Sequence, residues 1–142
     1  MQSGNGNGKG DEWFLLKTEI DGSPHFVGVM PCLPAEDERA LFPVRVTVTV
    51  SYETTENGLP MYEDDLEALD GLEEDFRSWD PDETVFRNAI RSTGGGVRKW
   101  VLYASTVEEF EALVPDNDFI AIATAVDPEW SQVSDTLAGI RR

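Results

Sequence analysis

Residues able to do chemistry are sparse in this chain, and where they are dense they are all of one kind. One histidine, His25, stands seven residues before one cysteine, Cys32. An imidazole beside a thiol can make a nucleophile. Here, though, the cysteine lies between Pro31 and Pro34, where a lone free thiol reads as inert packing or loop. The chain contains no Gly-x-Ser-x-Gly, no His-Glu-x-x-His and no phosphate-cradling Walker loop. The dense stretch is "NGLPMYEDDLEALDGLEEDFRSW", from Asn57 to Trp79. It carries Glu63, Asp64, Asp65, Glu67, Asp70, Glu73, Glu74 and Asp75 against a single cation, Arg77.

Carboxylates this close together raise the question of a metal. A calcium loop needs acids at its first, third and fifth positions and glycine at the sixth. With Gly71 as the sixth residue, the first is Leu66 and the third Ala68, so the pattern fails. Acids along one helix, with no second set of ligands, make only a diffuse site. No metal, cofactor or catalytic residue is therefore expected.

The stretch has helical spacing. Tyr62, Leu66, Leu69, Leu72, Phe76 and Trp79 recur at steps of three or four and define one apolar side, predicting a helix from Met61 to Trp79, with Pro60 near its first turn. Glu63, Asp64, Glu67, Asp70, Glu74 and Asp75 then share the opposite face. Glu63 with Glu67, and Asp70 with Glu74, are like-charge pairs one turn apart, each costing about 0.2 to 0.5 kcal/mol. Glu73 with Arg77 is the one opposite-charge pair at that spacing. Gly71 on the same face costs about 1 kcal/mol relative to alanine. Local stability does not account for such a face. It reads as a solvated surface, as adaptation to a salty cytoplasm, or as a docking stripe for a basic partner formed by Glu63, Glu67, Asp70 and Glu74. The salt reading has one further support, the use of eight arginines beside three lysines.

Other elements frame this helix. "WFLLKTEI" and "HFVGVM" flank the turn signal "DGSP" and predict a β-hairpin. "LPAEDERALFP" reads as a polar connection. "VRVTVTVSY", from Val44 to Tyr52, alternates strictly and predicts a strand interior to a sheet. After the acidic helix, "TVFRNAIRST", a turn at Gly94 to Gly96 and "VRKWVLYA" form a second hairpin. "STVEEFEALV" opens with a capping-box pattern and predicts a short helix. "FIAIATAV" reads as a buried strand, and the terminal "DPEWSQVSDTLAGIRR" as a helical turn or two. From Val44 onward the order is strand, helix, strand, strand, helix, strand. That is the ferredoxin-like βαββαβ order of an α+β domain, here preceded by an N-terminal hairpin. Residues 1–12 read as a flexible tail and residues 13–142 as one domain, a size at which a single core forms without staples.

Composition bounds the partners. Of 142 residues, 28 are Asp or Glu and 11 are Lys or Arg, for a net charge of −17. This disfavours nucleic acid and anionic membranes, because phosphate binding depends on Lys and Arg releasing counterions. The hairpin "GGVRKWVLY" lacks the glycine and aromatic of an RNA-binding strand, and Arg87, Arg91, Arg98 and Lys99 read as salt-bridge partners for the acidic remainder. One cysteine permits no internal disulfide. No apolar run is long enough to span a bilayer. A cytoplasmic protein without membrane or direct nucleic-acid contact is expected.

Three segments resemble a known bacterial family, domain of unknown function 695. They are "NGLP" (Asn57 to Pro60) ahead of the acidic helix, "TGGGVRKWVLYAS" (Thr93 to Ser105), and "DPEW" (Asp127 to Trp130), and the likeness extends over roughly Trp13 to Trp130. That family is similar to, or fused with, domains like the regulator of ribonuclease E activity B, an acidic inhibitor of an RNA-degrading enzyme. The resemblance implies a ferredoxin-like regulator that acts by protein contact, and it brings no catalytic residues. The expectation is a non-enzymatic inhibitor, adaptor or immunity-type module. The alternative is an enzyme or small-molecule binder with its site in a cleft.

Overall fold

A computed structural model describes residues 13–20, 22–54, 61–114 and 120–140. The N-terminal hairpin forms as expected: β1 (Phe14–Ile20) pairs antiparallel with β2 (Ser23–Val29), and Gly22 takes a φ of 81° in the turn, a conformation glycine adopts without penalty. Helix α1 (Glu36–Leu41) follows, then β3 (Val44–Ser51) and helix α2 (Glu63–Trp79). Strands β4 (Phe86–Gly94) and β5 (Val97–Ala104) make the second hairpin, closed by Gly95 and Gly96 at φ 61° and 83°. Gly94 belongs to the strand rather than the turn. A Cβ there would lie 2.5 Å from the Pro24 carbonyl oxygen and 2.7 Å from the His25 ring, so glycine lets β2 approach. Helix α3 (Val107–Leu113), strand β6 (Ala121–Val126) and helix α4 (Ser131–Ile140) complete the chain.

The sheet has six strands in the order β1-β2-β4-β5-β3-β6, with every neighbouring pair antiparallel. The domain is therefore mixed α+β with four helices among the described residues. The sequence predicts a two-helix ferredoxin-like sheet preceded by a hairpin; the helix count differs, and the order of the six-stranded sheet is not that of a ferredoxin-like sheet alone. The N-terminal hairpin adds two strands by pairing β2 with β4, and α4 covers a second face of the sheet. One core, made of Val46, Val48, Val50, Leu69, Leu72, Phe76, Phe86, Trp100, Leu102 and Phe110, lies between the sheet and helices α2 and α3. The other lies on the α4 side and includes Val29, Ile90, Tyr103, Trp130, Val133 and Leu137. A sheet interior buried on both faces explains why β5 is buried along most of its length while β3 keeps its alternation.

Several expectations are corrected. The helix begins at Glu63 rather than Met61, and Asn57 to Pro60 lie outside the described residues. Leu66 is not in the core: it is 40% exposed, as Tyr62 is 55%, whereas Leu69, Leu72 and Phe76 are buried. Leu69, Leu72 and Phe76 join the core on the sheet, and Tyr62 and Leu66 stand outside it. β6 is a strand, but not a buried one: all six residues are exposed, because it is the last strand of the sheet and neither α3 nor α4 reaches over it. The connection after β2 holds a helix, α1, whose first turn carries Glu36, Asp37 and Glu38, where carboxylates favour the positive end of the helix dipole. The C-terminal segment forms ten residues of helix rather than a turn or two. The 1–12 tail lies outside the described residues.

Candidate functional site

Glu63, Glu67, Asp70 and Glu74 all stand exposed on α2, as helical spacing requires. Their surroundings differ. Asp70 accepts from Arg98 Nη1 at 3.2 Å, and Glu74 accepts from Arg77 Nη1 at 3.0 Å. The Arg77 pair is thus formed one residue away from the expected Glu73. Glu73 is turned inward instead, taking both its oxygens to Arg91 Nη1 (3.0 and 2.9 Å) and accepting from Trp100 Nε1 at 2.7 Å. The ion pairs of α2 among the described residues therefore gather on its middle and C-terminal turns. Glu63, Asp64 and Glu67 take part in none of them, and beside them Met61, Tyr62 and Leu66 expose apolar surface.

On its other flank α2 forms one wall of a cleft. The two strands of the N-terminal hairpin carry the sheet beyond the reach of the helix, so the floor there stays open on the α2 side. A cavity of about 430 Å³ is lined by Trp13, Leu15, Glu73, Phe76, Asn88 and Arg91, among others. A second, of about 440 Å³, is lined by Leu15, Lys17, Phe26, Asp70, Arg91 and Arg98, among others. Leu15 and Arg91 are common to both, so the two run together along the helix. Each lies in the size range of ligand clefts. Gly28 is also part of this floor. A Cβ there would sit 3.2 Å from Leu15 and 3.3 Å from Trp13, so the glycine lets both side chains close over the strand. Asp70 is the one residue shared between the expected docking stripe and the cleft.

Carboxylates that the fold buries are committed to structure. Asp80, 7% exposed, accepts from the backbone N–H groups of Thr84, Val85 and Phe86 and from the Thr84 hydroxyl. Burial acts to raise its pKa, but these hydrogen bonds outweigh it and hold the carboxyl below its ordinary range. Asp127, equally buried, accepts from Ser131 N and Oγ, from Gln132 N, from the Tyr103 hydroxyl at 2.8 Å and from Arg45 at 3.4 Å. It too is held low against the opposing effect of burial, while burial and the Asp127 charge push Tyr103 upward. These bonds make Asp127 the cap of α4. Three residues on, Trp130 is fully buried in a left-handed conformation at φ 57°, stacked on Tyr103 at 4.2 Å, its Nε1 donating to the Phe42 carbonyl at 2.9 Å. "DPEW" is thus a structural joint.

His25 lies against Gly94 and Gly95 on β2, and Cys32 is exposed beyond the end of that strand; neither lines the cleft. Among the described residues no group of three or more His, Cys, Asp or Glu side chains is placed to hold a metal, and no helix is long and apolar enough to cross a membrane. Arg87, Arg91 and Arg98 of the basic hairpin are paired with Glu38, Glu73 and Asp70, as the charge balance predicts, whereas exposed Lys99 takes part in no ion pair among the described residues. Sequence reasoning missed the cleft. Its walls come from Trp13, Glu73 and Arg91, far apart in the chain, and only the pairing of β2 with β4 brings them together. No family model, no curated protein and no solved structure matches the chain.

Proposed function

We propose that this protein is a non-enzymatic cytoplasmic regulator, an inhibitor, adaptor or immunity-type module that docks a basic protein through the outer face of α2. The observation that carries this reading is the first half of that helix. Glu63, Asp64 and Glu67 project there without an ion pair among the described residues, around exposed Met61, Tyr62 and Leu66. Apolar surface rimmed by charge of one sign combines what gives an interface affinity with what steers its partner. Glu67 and Glu63 form the free end of the stripe; Asp70 and Glu74 extend it. The resemblance to the domain of unknown function 695 family agrees with action by protein contact. The strand order β4-β5-β3-β6 supports reading Val44 to Val126 as a split βαβ unit of ferredoxin-like kind, with the hairpin and α4 as additions.

The test is association of the co-purified partner with wild type and with a Glu63→Lys/Glu67→Lys variant, by stopped flow at several ionic strengths. Asp70 is left unchanged, since a lysine there would face Arg98, whose side chain is only 8% exposed. The wild-type on-rate should fall steeply with salt and the variant's should not. Undiminished association of the folded variant overturns the docking role.

The paired cavities favour a second reading, a small-molecule-binding domain. Leu15 is 74% exposed on the cleft floor, so Leu15→Glu should leave folding intact. A ligand-induced rise in Tm from a metabolite panel that this variant abolishes would support the cleft; a rise that it leaves untouched would rule it out.

A further inference from the structure

The two edges of the sheet are built differently. β1, at one end, carries Lys17 and Glu19 within its strand, the charge that keeps an edge from pairing with another chain. β6, at the other end, reads Ala-Ile-Ala-Thr-Ala-Val. It has no charge and no proline, and it keeps an unbroken register with β3 from Thr49 opposite Ala121 to Val44 opposite Val126. All six side chains are exposed, Ile122 at 38% and Val126 at 80%. An edge strand also turns backbone N–H and C=O groups outward. On a chain of net charge −17, this straight, neutral, apolar edge is the reverse of what protects a monomer.

We infer that β6 is a homodimerisation edge, pairing antiparallel with β6 of a second copy to continue the sheet across a two-fold axis. The pattern of the strand fits itself. Ile122, Thr124 and Val126 stand on the α2 side, opposite Val48, Val46 and Val44, while Ala121, Ala123 and Ala125 stand on the other side. A two-fold axis perpendicular to the sheet brings only residues of the same face together. Passed through Thr124, it sets Ile122 against Val126 of the second copy, Thr124 against Thr124 and Ala123 against Ala125. Large meets large, small meets small, and no charges face each other, which is the self-complementarity an isologous interface requires. A basic foreign strand would find no carboxylate within β6 to select it. The second copy needs none. Because both copies are acidic, association must strengthen as salt screens their repulsion, the opposite of the salt response expected for a basic partner at α2.

Sedimentation velocity on the full chain, from dilute buffer to about 1 M sodium chloride, gives the first readout. A dimer whose Kd falls at least about tenfold across that range is expected. Thr124→Lys places two ammonium groups on the axis at an exposed site, and should give a folded monomer by circular dichroism at every salt concentration. In a Cys32→Ser background, Thr124→Cys should cross-link under mild oxidation, because directly opposed antiparallel residues have Cα atoms about 4.5 to 5.5 Å apart, within disulfide reach. Ala121→Cys, which does not meet itself, should cross-link far more slowly. A wild-type monomer at all salt concentrations, a dimer that weakens with salt, a dimer that Thr124→Lys leaves intact, or equal cross-linking at both positions would each overturn the inference.

Discussion

Asp80 and Asp127 show how single residues in this chain spend their charge on the fold. Each gathers backbone N–H groups from the segment that follows it, closing a loop before β4 in one case and starting α4 in the other. Asp127→Ala removes the cap and leaves the buried Tyr103 hydroxyl without its acceptor. A cap is worth about 1 kcal/mol and an unsatisfied buried group about 1 to 3 kcal/mol, so urea unfolding should show a loss of about 2 to 4 kcal/mol. The pH dependence follows from both carboxyls being held below their unfolded value of 3.8. Such groups bind more protons unfolded than folded; their contribution is complete above about pH 5 and is lost as pH falls toward the lowered folded values. Unfolding free energy should therefore decline below about pH 4, and Asp80→Asn with Asp127→Asn should flatten that decline. If the slope is unchanged, the acid sensitivity lies in the surface carboxylates. In the sequence "DPEW" reads as the start of a helical turn or two, and Asp80 carries no signal of a role. Which amides converge on each carboxylate depends on the path of the chain afterwards, and so was not legible.

At the scale of elements, local patterns are legible in the sequence and neighbours are not. Strict alternation gave β3, the spacing of apolar residues gave α2, and the capping box at the start of α3 is realised as Thr106 Oγ1 accepting from Glu109 N at 3.0 Å. By contrast, the apolar run of β6 reads the same whether the strand is central or at an edge, since burial is decided by what lies beside and above it. α1 was hidden by its length of six residues, too short for a period to show. The helical wheel also continues the apolar side through Leu66, which the fold leaves 40% exposed. Two substitutions on α2 measure that boundary. Leu69, 3% exposed in the core, should lose about 2 to 5 kcal/mol on change to alanine. Leu66→Ala, at a 40% exposed site, should stay within about 0.5 kcal/mol. Equal losses would place both leucines under the same cover and remove Leu66 from the exposed patch that the docking proposal uses.

For the whole molecule the governing quantity is the charge of −17, set by 28 acidic against 11 basic residues. Arg87, Arg91 and Arg98 neutralise Glu38, Glu73 and Asp70 at contact distances of 2.7 to 3.2 Å, leaving most acids facing one another across solvent. Contact pairs and spread-out repulsion respond differently to salt. Neighbours one helical turn apart lie about 5 to 6 Å from each other, inside the screening length of about 10 Å at 0.1 M but outside the roughly 3 Å reached at 1 M. Sodium chloride taken to molar strength should therefore relieve the repulsion while weakening the close pairs less, and net stability should rise. The size of the rise separates two accounts of the acidic face. If the charge is adaptation to a salty interior, urea unfolding should gain several kcal/mol between dilute and molar salt. If it is a docking surface carried by an otherwise ordinary fold, the protein should be fully folded in dilute buffer with little gain, and Glu63→Lys/Glu67→Lys should change stability by no more than about 1 kcal/mol. Chloride is the right salt for the comparison, because sulfate would also strengthen apolar burial. A chain that unfolds in dilute buffer and recovers only in molar chloride would leave the stripe on α2 as part of a solvated surface and take away the electrostatic ground for a basic partner.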